Sequence, residues 1–156
     1  MGVKPIPEGY HTLTAYLAVD DAAAAIEFYK EAFGATERGR MDAPGGKIGH
    51  AELQIGDSVV MVSDPFPQSS VKSPKEAGTT TASMFMYSED VDTAIQRAVD
   101  AGATVEQEPT DMFWGDRFGS VADPFGHRWA IATHIEDVSP EEMAERGKAA
   151  MAEMLS

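Results

Sequence analysis

The chain has 156 residues, among them 26 acidic and 12 basic side chains, and a formal net charge of -14. A charge of this sign disfavours nucleic acid and anionic membrane surfaces as partners. The chain contains no cysteine, which excludes disulfides, thiolate metal sites and cysteine nucleophiles. No segment has the apolar length of a signal peptide or a membrane span, so we expect a soluble, cytoplasmic protein.

The first half of the chain predicts a strand, a helix and three further strands. Residues 11–19 are expected to form a strand that ends at Asp20 and Asp21, and these acids can cap a helix. The helix is predicted from about Asp21 to Phe33 because apolar residues recur there at helical spacing, and Gly34 can stop it. The three strands that follow are predicted near residues 35–41, 48–55 and 58–63.

The second half repeats this order. A strand near residues 81–88 leads into a helix from about Asp90 to Ala101, which Gly102 can end. Both helices follow paired acidic residues, and the sequence Gly-Ala-Thr comes directly after each of them. Three strands are again predicted, near residues 103–108, 116–122 and 128–134. Because one unit occurs twice, we predict an α+β fold made of paired βαβββ modules.

Composition sets the limits of the domain and its tail. The predicted limits are 1–135 for a single domain, about 10–64 and 79–135 for its modules, about 65–78 for a linker, and 136–156 for a helical tail. The tail helix should begin at Ser139 and Pro140. Its stripe of Met and Leu needs an apolar partner. Two interpretations stay open: the helix packs on its own sheet, or it contacts a second copy of the chain.

Residues 49–62 carry polar side chains at alternate positions. His50, Glu52 and Gln54 are separated by apolar residues, so on a strand the three polar groups share one face. The Gly-Asp pair that follows predicts a two-residue hairpin turn, which places Glu52 opposite Met61. Partial burial beside Met61 should then raise the pKa of Glu52.

Residues 123–127 read DPFGH. Asp, Pro and Gly are the residues that a tight chain reversal selects. We therefore predict a turn between the last two strands, with His127 as part of that turn and not as a ligand-binding residue.

The repeat and four segments resemble the vicinal oxygen chelate superfamily, which includes glyoxalase I, extradiol dioxygenases, fosfomycin-resistance enzymes and bleomycin-binding proteins. The sequence looks most similar to the PhnB-like subgroup, in which HAEL, IGDS and DPFGHRW segments are common. The resemblance implies a sheet that curls around a cavity, with the helices outside. The four segments are AVDDAAAAIEFYKEAFGA (18–35), GHAELQIGDSVVMVSDP (49–65), SEDVDTAIQRAVDAGA (88–103) and GDRFGSVADPFGHRWAIATH (115–134).

Metal-dependent members of that superfamily take one His or Glu from each of four strand positions. Carried onto this sequence, those positions hold Thr14, Met61, Ser83 and Ala130. Such metals are bound by imidazole or carboxylate, which none of the four supplies. We therefore expect no cofactor, and neither glyoxalase I nor dioxygenase activity of the usual metal-dependent kind.

The cavity implied by the resemblance would be lined by the strand faces that point away from the helices. Apolar walls with a few polar groups suit a small organic molecule, and the negative net charge favours a cationic one. Besides His50 and Glu52, the expected ligand-binding residues are Tyr16, Gln54, Phe85, Tyr87, Trp114, Asp116, Phe118 and Arg128.

Three functions stay open at this point. The first is metal-free binding of a small molecule by a homodimer, as the resemblance to bleomycin-binding proteins implies. The second is a metal-independent lyase, isomerase or transferase-like enzyme that uses His50 and Glu52 as acid–base groups. The third is a non-standard divalent metal site at His50 and Glu52, completed by Asp116 or water, although a stable site normally needs three or four ligands.

Overall fold

The computed structural model describes residues 2–156, and Met1, where the predicted domain begins, lies outside the described residues. Two modules follow one another along the chain, and a helical tail follows the second. The elements are β1 (Ala15–Ala18), α1 (Ala22–Phe33), β2 (Thr36–Ala43), β3 (Lys47–Ile55), β4 (Ser58–Ser63), α2 (Pro74–Ala77), β5 (Ser83–Tyr87), α3 (Val91–Ala101), β6 (Thr104–Asp111), β7 (Asp116–Ala122), β8 (Arg128–His134) and α4 (Pro140–Met154).

The strands form two four-stranded sheets, and the predicted α+β fold of paired βαβββ modules is confirmed. The strand orders are β1-β4-β3-β2 and β5-β8-β7-β6. In each sheet the first strand of the module runs parallel to the fourth. The remaining pairs are antiparallel. The same order in both sheets is the result that a duplicated unit predicts.

The first strand is shorter than predicted. A strand was expected over residues 11–19, but β1 covers only Ala15–Ala18. In the predicted strand, alternation would turn Leu13 towards the helices together with Leu17, but Leu13 is 89% exposed whereas Leu17 is buried. The chain joins the sheet only after Leu13.

The hairpin between β3 and β4 has the predicted register. Glu52 pairs with Met61, and Met61 pairs in turn with Tyr16 of β1. Directly paired residues lie on the same face of a sheet, so these three side chains form one row. Gly56 has a φ of 57°, which is the positive φ that a two-residue turn of this kind requires.

The two modules share one apolar core. Helices α1 and α3 pack against each other, and each also packs on strands of its own module. On α1, Tyr29 and Phe33 reach across to Trp129 of β8, with ring centroids 5.3 and 4.5 Å apart. The helices therefore cover one face of each sheet, and the opposite faces, here called the free faces, carry the exposed side chains.

The DPFGH segment forms the predicted turn between β7 and β8. The Asp123 carboxylate accepts hydrogen bonds from the backbone N–H groups of Phe125 and His127, both at 2.9 Å. The His127 Nε2 atom lies 2.9 Å from the carbonyl oxygen of Ala18. His127 thus links the turn of the second module to the first strand of the chain.

The predicted linker contains the single helical turn α2. Ser73 caps it, and the Glu76 side chain returns to the Ser73 backbone, which is a capping box. The Ser73 hydroxyl also donates to the carboxylate of Asp20, so this part of the linker is attached to the start of α1. Across residues 2–156, every helix is too short or too polar to cross a membrane.

Candidate ligand-binding site

A short polar chain lies on the free face of the first sheet. The Tyr16 hydroxyl is 3.1 Å from His50 Nδ1, and His50 Nε2 is 3.6 Å from Glu52 Oε1. The second distance is too long for an ordinary hydrogen bond. The structure thus brings the predicted pair His50 and Glu52 together and adds Tyr16 as the partner of the imidazole.

The N-terminal segment, residues 5–12, covers part of this face and lines a recess of about 430 Å³ with Glu52 and Met61. The Arg38 guanidinium lies 5.1 Å from the centre of the Tyr10 ring. Among the described residues, the buried Tyr10 hydroxyl has no hydrogen-bond partner of ordinary geometry. The Tyr10 hydroxyl is nevertheless close to the Glu52 carboxylate, and this proximity is the largest contribution to the lowered pKa of Glu52. The expected rise in the Glu52 pKa was wrong, because neighbouring donors outweigh partial burial.

The free face of the second sheet carries four aromatic side chains in contact: Phe85, Tyr87, Trp114 and Phe118. We call them the aromatic face. The Phe85 ring centroid lies 5.4 Å from that of Tyr87 and 5.7 Å from that of Phe118, on which Phe85 is stacked. The Trp114 ring meets Phe118 edge-on, with 5.9 Å between the centroids. Phe85 is 51% exposed and Tyr87 is 62% exposed. Four residues predicted to bind a ligand therefore form one continuous surface that is open to solvent.

Asp116 lies beneath the aromatic face. Its side chain is 3% exposed. One carboxylate oxygen accepts hydrogen bonds from the Tyr87 hydroxyl at 3.0 Å and the Trp114 indole N–H at 2.9 Å. Burial opposes ionisation, but hydrogen bonds from His134, Tyr87 and Trp114 outweigh it and lower the pKa of Asp116. Asp116 was predicted to bind the ligand; the geometry indicates that it holds the aromatic rings.

His134 completes this cluster, although it is not among the residues that the sequence predicts to bind a ligand. Its Nδ1 atom lies 2.8 Å from the second oxygen of Asp116, and its Nε2 atom lies 2.8 Å from Asp137. The signal was present in the sequence, because the predicted hairpin of β7 and β8 pairs Asp116 with His134.

An apolar recess of about 750 Å³ lies beside the aromatic face, where the two modules meet. Phe85 and Tyr87 belong to both the recess and the aromatic face. Leu13 and Val60 line it from the first module, and Trp129 closes it from the core side. The volume is in the range of small-molecule sites.

Gln54 and Arg128 have other roles in this structure. The Gln54 amide donates to the carbonyl oxygen of Gly56 at 2.9 Å and so supports the hairpin turn. Arg128 donates to Glu106 at 2.8 Å. The predicted lining is therefore divided between the free faces of two sheets, and the side-chain hydrogen bonds of these two residues go to the hairpin turn and to Glu106.

The four positions at which related enzymes hold a metal do not fit one here. Thr14, Met61, Ser83 and Ala130 offer two hydroxyls, a thioether and a methyl group, whereas zinc and similar metals are bound by imidazole and carboxylate. Asp116 lies on the second sheet with its own partners, so it does not complete a site with His50 and Glu52. Within residues 2–156, there is no cluster of three or more His, Asp or Glu side chains placed to hold a metal ion.

Comparison with known proteins places the chain in a family. The Glyoxalase/Bleomycin resistance protein/Dioxygenase superfamily matches residues 10–131. The chain belongs to this superfamily. An uncharacterised protein of Mycobacterium bovis is 44% identical to this superfamily member over 134 residues, which are 84% of this chain and 88% of the relative.

Solved structures agree with the superfamily assignment. TioX from Micromonospora sp. ML1 is 30% identical, with a TM-score of 0.65 over 80% of this chain and 99% of that one. TnmS3, an antibiotic binding protein from Streptomyces sp. CB03234, is 20% identical, with a TM-score of 0.62 over 85% of this chain and 99% of that one. The superfamily fold supports many chemistries, so the function has to be argued from the free faces.

Proposed function

We propose that this superfamily member binds a small organic molecule at the aromatic face and the adjoining recess. One observation carries the proposal: Phe85 and Tyr87 are more than half exposed, although they belong to a continuous aromatic surface beside an apolar recess of about 750 Å³. Large apolar side chains that stay exposed together mark sites of interaction. Phe85 and Tyr87 therefore form the centre of the proposed site.

The chemistry of the surface favours a ligand with an apolar or aromatic body and a positive charge. Aromatic rings attract cations over their faces, and the ionised Asp116 lies directly beneath them. The net charge of -14 also attracts cations to the surface. TnmS3, described as antibiotic binding, supports no more than the shared fold at 20% identity, so the aromatic face carries the argument.

We propose that the protein binds its ligand without a metal, because the four positions that hold metals in related enzymes lack suitable ligands. We also propose that the chain belongs to the PhnB-like subgroup, because it contains the HAEL, IGDS and DPFGHRW segments.

We propose further that the protein acts in the cytoplasm as a homodimer. Light scattering should then give twice the mass of one chain, and a single-chain mass at working concentration would refute the dimer.

Binding of the neutral apolar dye N-phenyl-1-naphthylamine tests the proposed site. The dye should bind with an increase in fluorescence, and Phe85→Ala should weaken binding about tenfold or more, because burying a phenyl ring on a ligand is worth about 1.5–3 kcal/mol and each 1.4 kcal/mol is about tenfold. Met41→Ala is the matched control: Met41 is 62% exposed but lies on β2 of the other sheet. Equal losses in both variants, or no dye binding, would refute the site.

The polar chain of Tyr16, His50 and Glu52 favours a second candidate function. A histidine with a hydroxyl on one side and an ionised carboxylate on the other can accept and return a proton, as a metal-independent lyase or isomerase requires. A substrate screen should then find turnover that His50→Gln abolishes without loss of folding. Turnover that survives this substitution would refute the assignment.

A further inference from the structure

His134 lies between two carboxylates, and this geometry favours its protonated form. Both ring nitrogens are 2.8 Å from a carboxylate oxygen, Nδ1 from Asp116 and Nε2 from Asp137. A neutral imidazole has only one N–H, and its other nitrogen would place a lone pair against an anionic oxygen. Both contacts are hydrogen bonds only when His134 is an imidazolium ion.

The imidazolium is the one positive group bonded to the carboxylate beneath the aromatic face, within residues 2–156. Asp116 bonds to no other cation; its remaining partners are the Tyr87 hydroxyl and the Trp114 indole. The nearby guanidinium groups are engaged elsewhere. Arg146 of α4 binds Glu136 and Glu142, and Arg117 of β7 binds Asp92 and Asp111.

We infer that His134 makes the affinity of the aromatic face for cations depend on protonation. This inference rests on the proposed function, since it concerns the same site. With His134 protonated, its positive charge offsets Asp116 and repels a cation that approaches the rings. With His134 neutral, the Asp116 charge beneath the rings is no longer offset. Nδ1–H can still donate to Asp116, so Tyr87 and Trp114 stay in place.

The direction and size of the effect follow from the charges. Asp137, and to a smaller extent Asp116, raises the pKa of His134 above its ordinary value, so the imidazolium loses its proton at a higher pH than an ordinary histidine does. Cation affinity should be low below the raised pKa and high above it. Coulomb attraction over several ångströms at a solvent-exposed surface corresponds to a change of about three- to tenfold in the dissociation constant of a cation. A neutral ligand of the same shape should show no change.

Choline and 3,3-dimethylbutan-1-ol provide matched probes, because they have nearly the same shape and only choline is charged. Binding is measured on the full-length protein between pH 6 and 9, from the NMR signal of the Trp114 indole. The choline dissociation constant should fall about three- to tenfold as pH rises, whereas that of the alcohol should stay constant. Saturating choline should also lower the pKa of His134 measured from its own ring signals, because linkage is reciprocal.

Three variants separate His134 from other titrating groups. His134→Gln should bind choline with the same affinity at every pH. Asp137→Asn should move the transition to lower pH and keep its size, because it removes the exposed carboxylate that helps to hold the proton. His127→Gln is the matched control: His127 bonds to Ala18, away from the aromatic face, and the variant should retain the wild-type pH profile.

The outcomes distinguish the two proposals. If both probes bind but choline affinity does not depend on pH, or depends on it equally in His134→Gln, the inference about His134 is wrong and the proposed ligand site stands. If neither probe binds at any pH although the dye does, the inference about His134 is wrong and the proposed ligand site stands; if the dye fails to bind as well, both proposals fail.

Discussion

Asp123 shows how one residue of a turn can support the whole core. Its carboxylate accepts the Tyr29 hydroxyl at 2.7 Å and the Trp129 indole N–H at 2.9 Å, in addition to two backbone N–H groups of its turn. Burial and the adjacent carboxylate raise the pKa of Tyr29. Since the side chain is buried, removing it leaves several polar groups without partners.

Asp123→Ala should therefore lower the free energy of unfolding by about 3 kcal/mol or more, because the Tyr29 hydroxyl and the Trp129 indole lose their partner and each unpaired buried donor costs about 1–3 kcal/mol. Urea unfolding followed by circular dichroism measures this change. Asp100→Ala is the control, because the exposed Asp100 accepts a hydrogen bond from Gln96 on the same helix; it should change stability by less than about 0.5 kcal/mol. Similar losses in the two variants would contradict the role assigned to Asp123.

The sequence predicted the pairing of single residues correctly where the alternation of side chains along a strand and the length of a turn determine that pairing. The pairing of Glu52 with Met61 followed from one hairpin turn, and the structure has it. The ionisation of Glu52 could not be predicted in this way, because it depends on Tyr10, which joins the site from a segment without regular structure. For His134, the pairing with Asp116 follows from the predicted hairpin, but the contact with Asp137 does not, because Asp137 lies beyond the end of β8.

At the level of elements, Gly119 sets how closely helix α3 approaches strand β7. A Cβ atom at this position would overlap the Cδ1 atom of Ile95 and would lie 3.0 Å from the carbonyl oxygen of Gln107. Ile95 is a buried residue of α3. The close contact of helix and strand therefore requires glycine at position 119.

Gly119→Ala should destabilise the protein by about 1–3 kcal/mol, the usual cost of overpacking a core. The matched variant is Gly39→Ala on β2, where an added Cβ atom meets nothing within 4 Å; it should be neutral or slightly stabilising, since alanine restricts the unfolded chain more than glycine does. Thermal unfolding of both variants gives the comparison. A stable Gly119→Ala protein would show that α3 can shift without cost.

The elements themselves were predictable because each half of the chain has the same start and stop signals. The tail was less predictable. Ser139 caps helix α4 as expected, and Gly147 faces the Phe113 ring, which a Cβ atom at this position would meet at 3.4 Å. However, Met154 and Leu155 stay 75% and 87% exposed. Within one chain the helix is thus only partly packed on the protein. The exposed Met154 and Leu155 side chains are the part of its apolar stripe that a second copy of the chain could cover.

At the level of the whole molecule, the duplicated sequence predicted two similar sheets but not how their free faces are arranged. Local patterns specify each module, whereas the arrangement of modules depends on contacts between distant residues, such as Phe33 with Trp129. As a result, the sequence placed His50 and Phe85 in one cavity, and the structure places them on the free faces of different sheets. The family resemblance implied a sheet that curls around a cavity, but it did not imply which of the predicted ligand-binding residues lie on each of the two sheets.

The net charge of -14 acts on the whole molecule and predicts how salt affects stability. At neutral pH the unpaired carboxylates repel one another most strongly in the compact state, and salt screens this repulsion. Salt also weakens exposed ion pairs such as Arg117 with Asp92, but each such pair contributes little.

Repulsion should therefore dominate, and raising sodium chloride from about 0.02 to 0.2 M at pH 7, which shortens the range of charge interactions severalfold, should raise the melting temperature by about 2–4 °C. That change corresponds to about 1 kcal/mol for a domain of this size. Near the isoelectric point the repulsion is absent, so the same addition of salt should have no stabilising effect there. Stabilisation of equal size at both pH values would instead indicate a specific ion site.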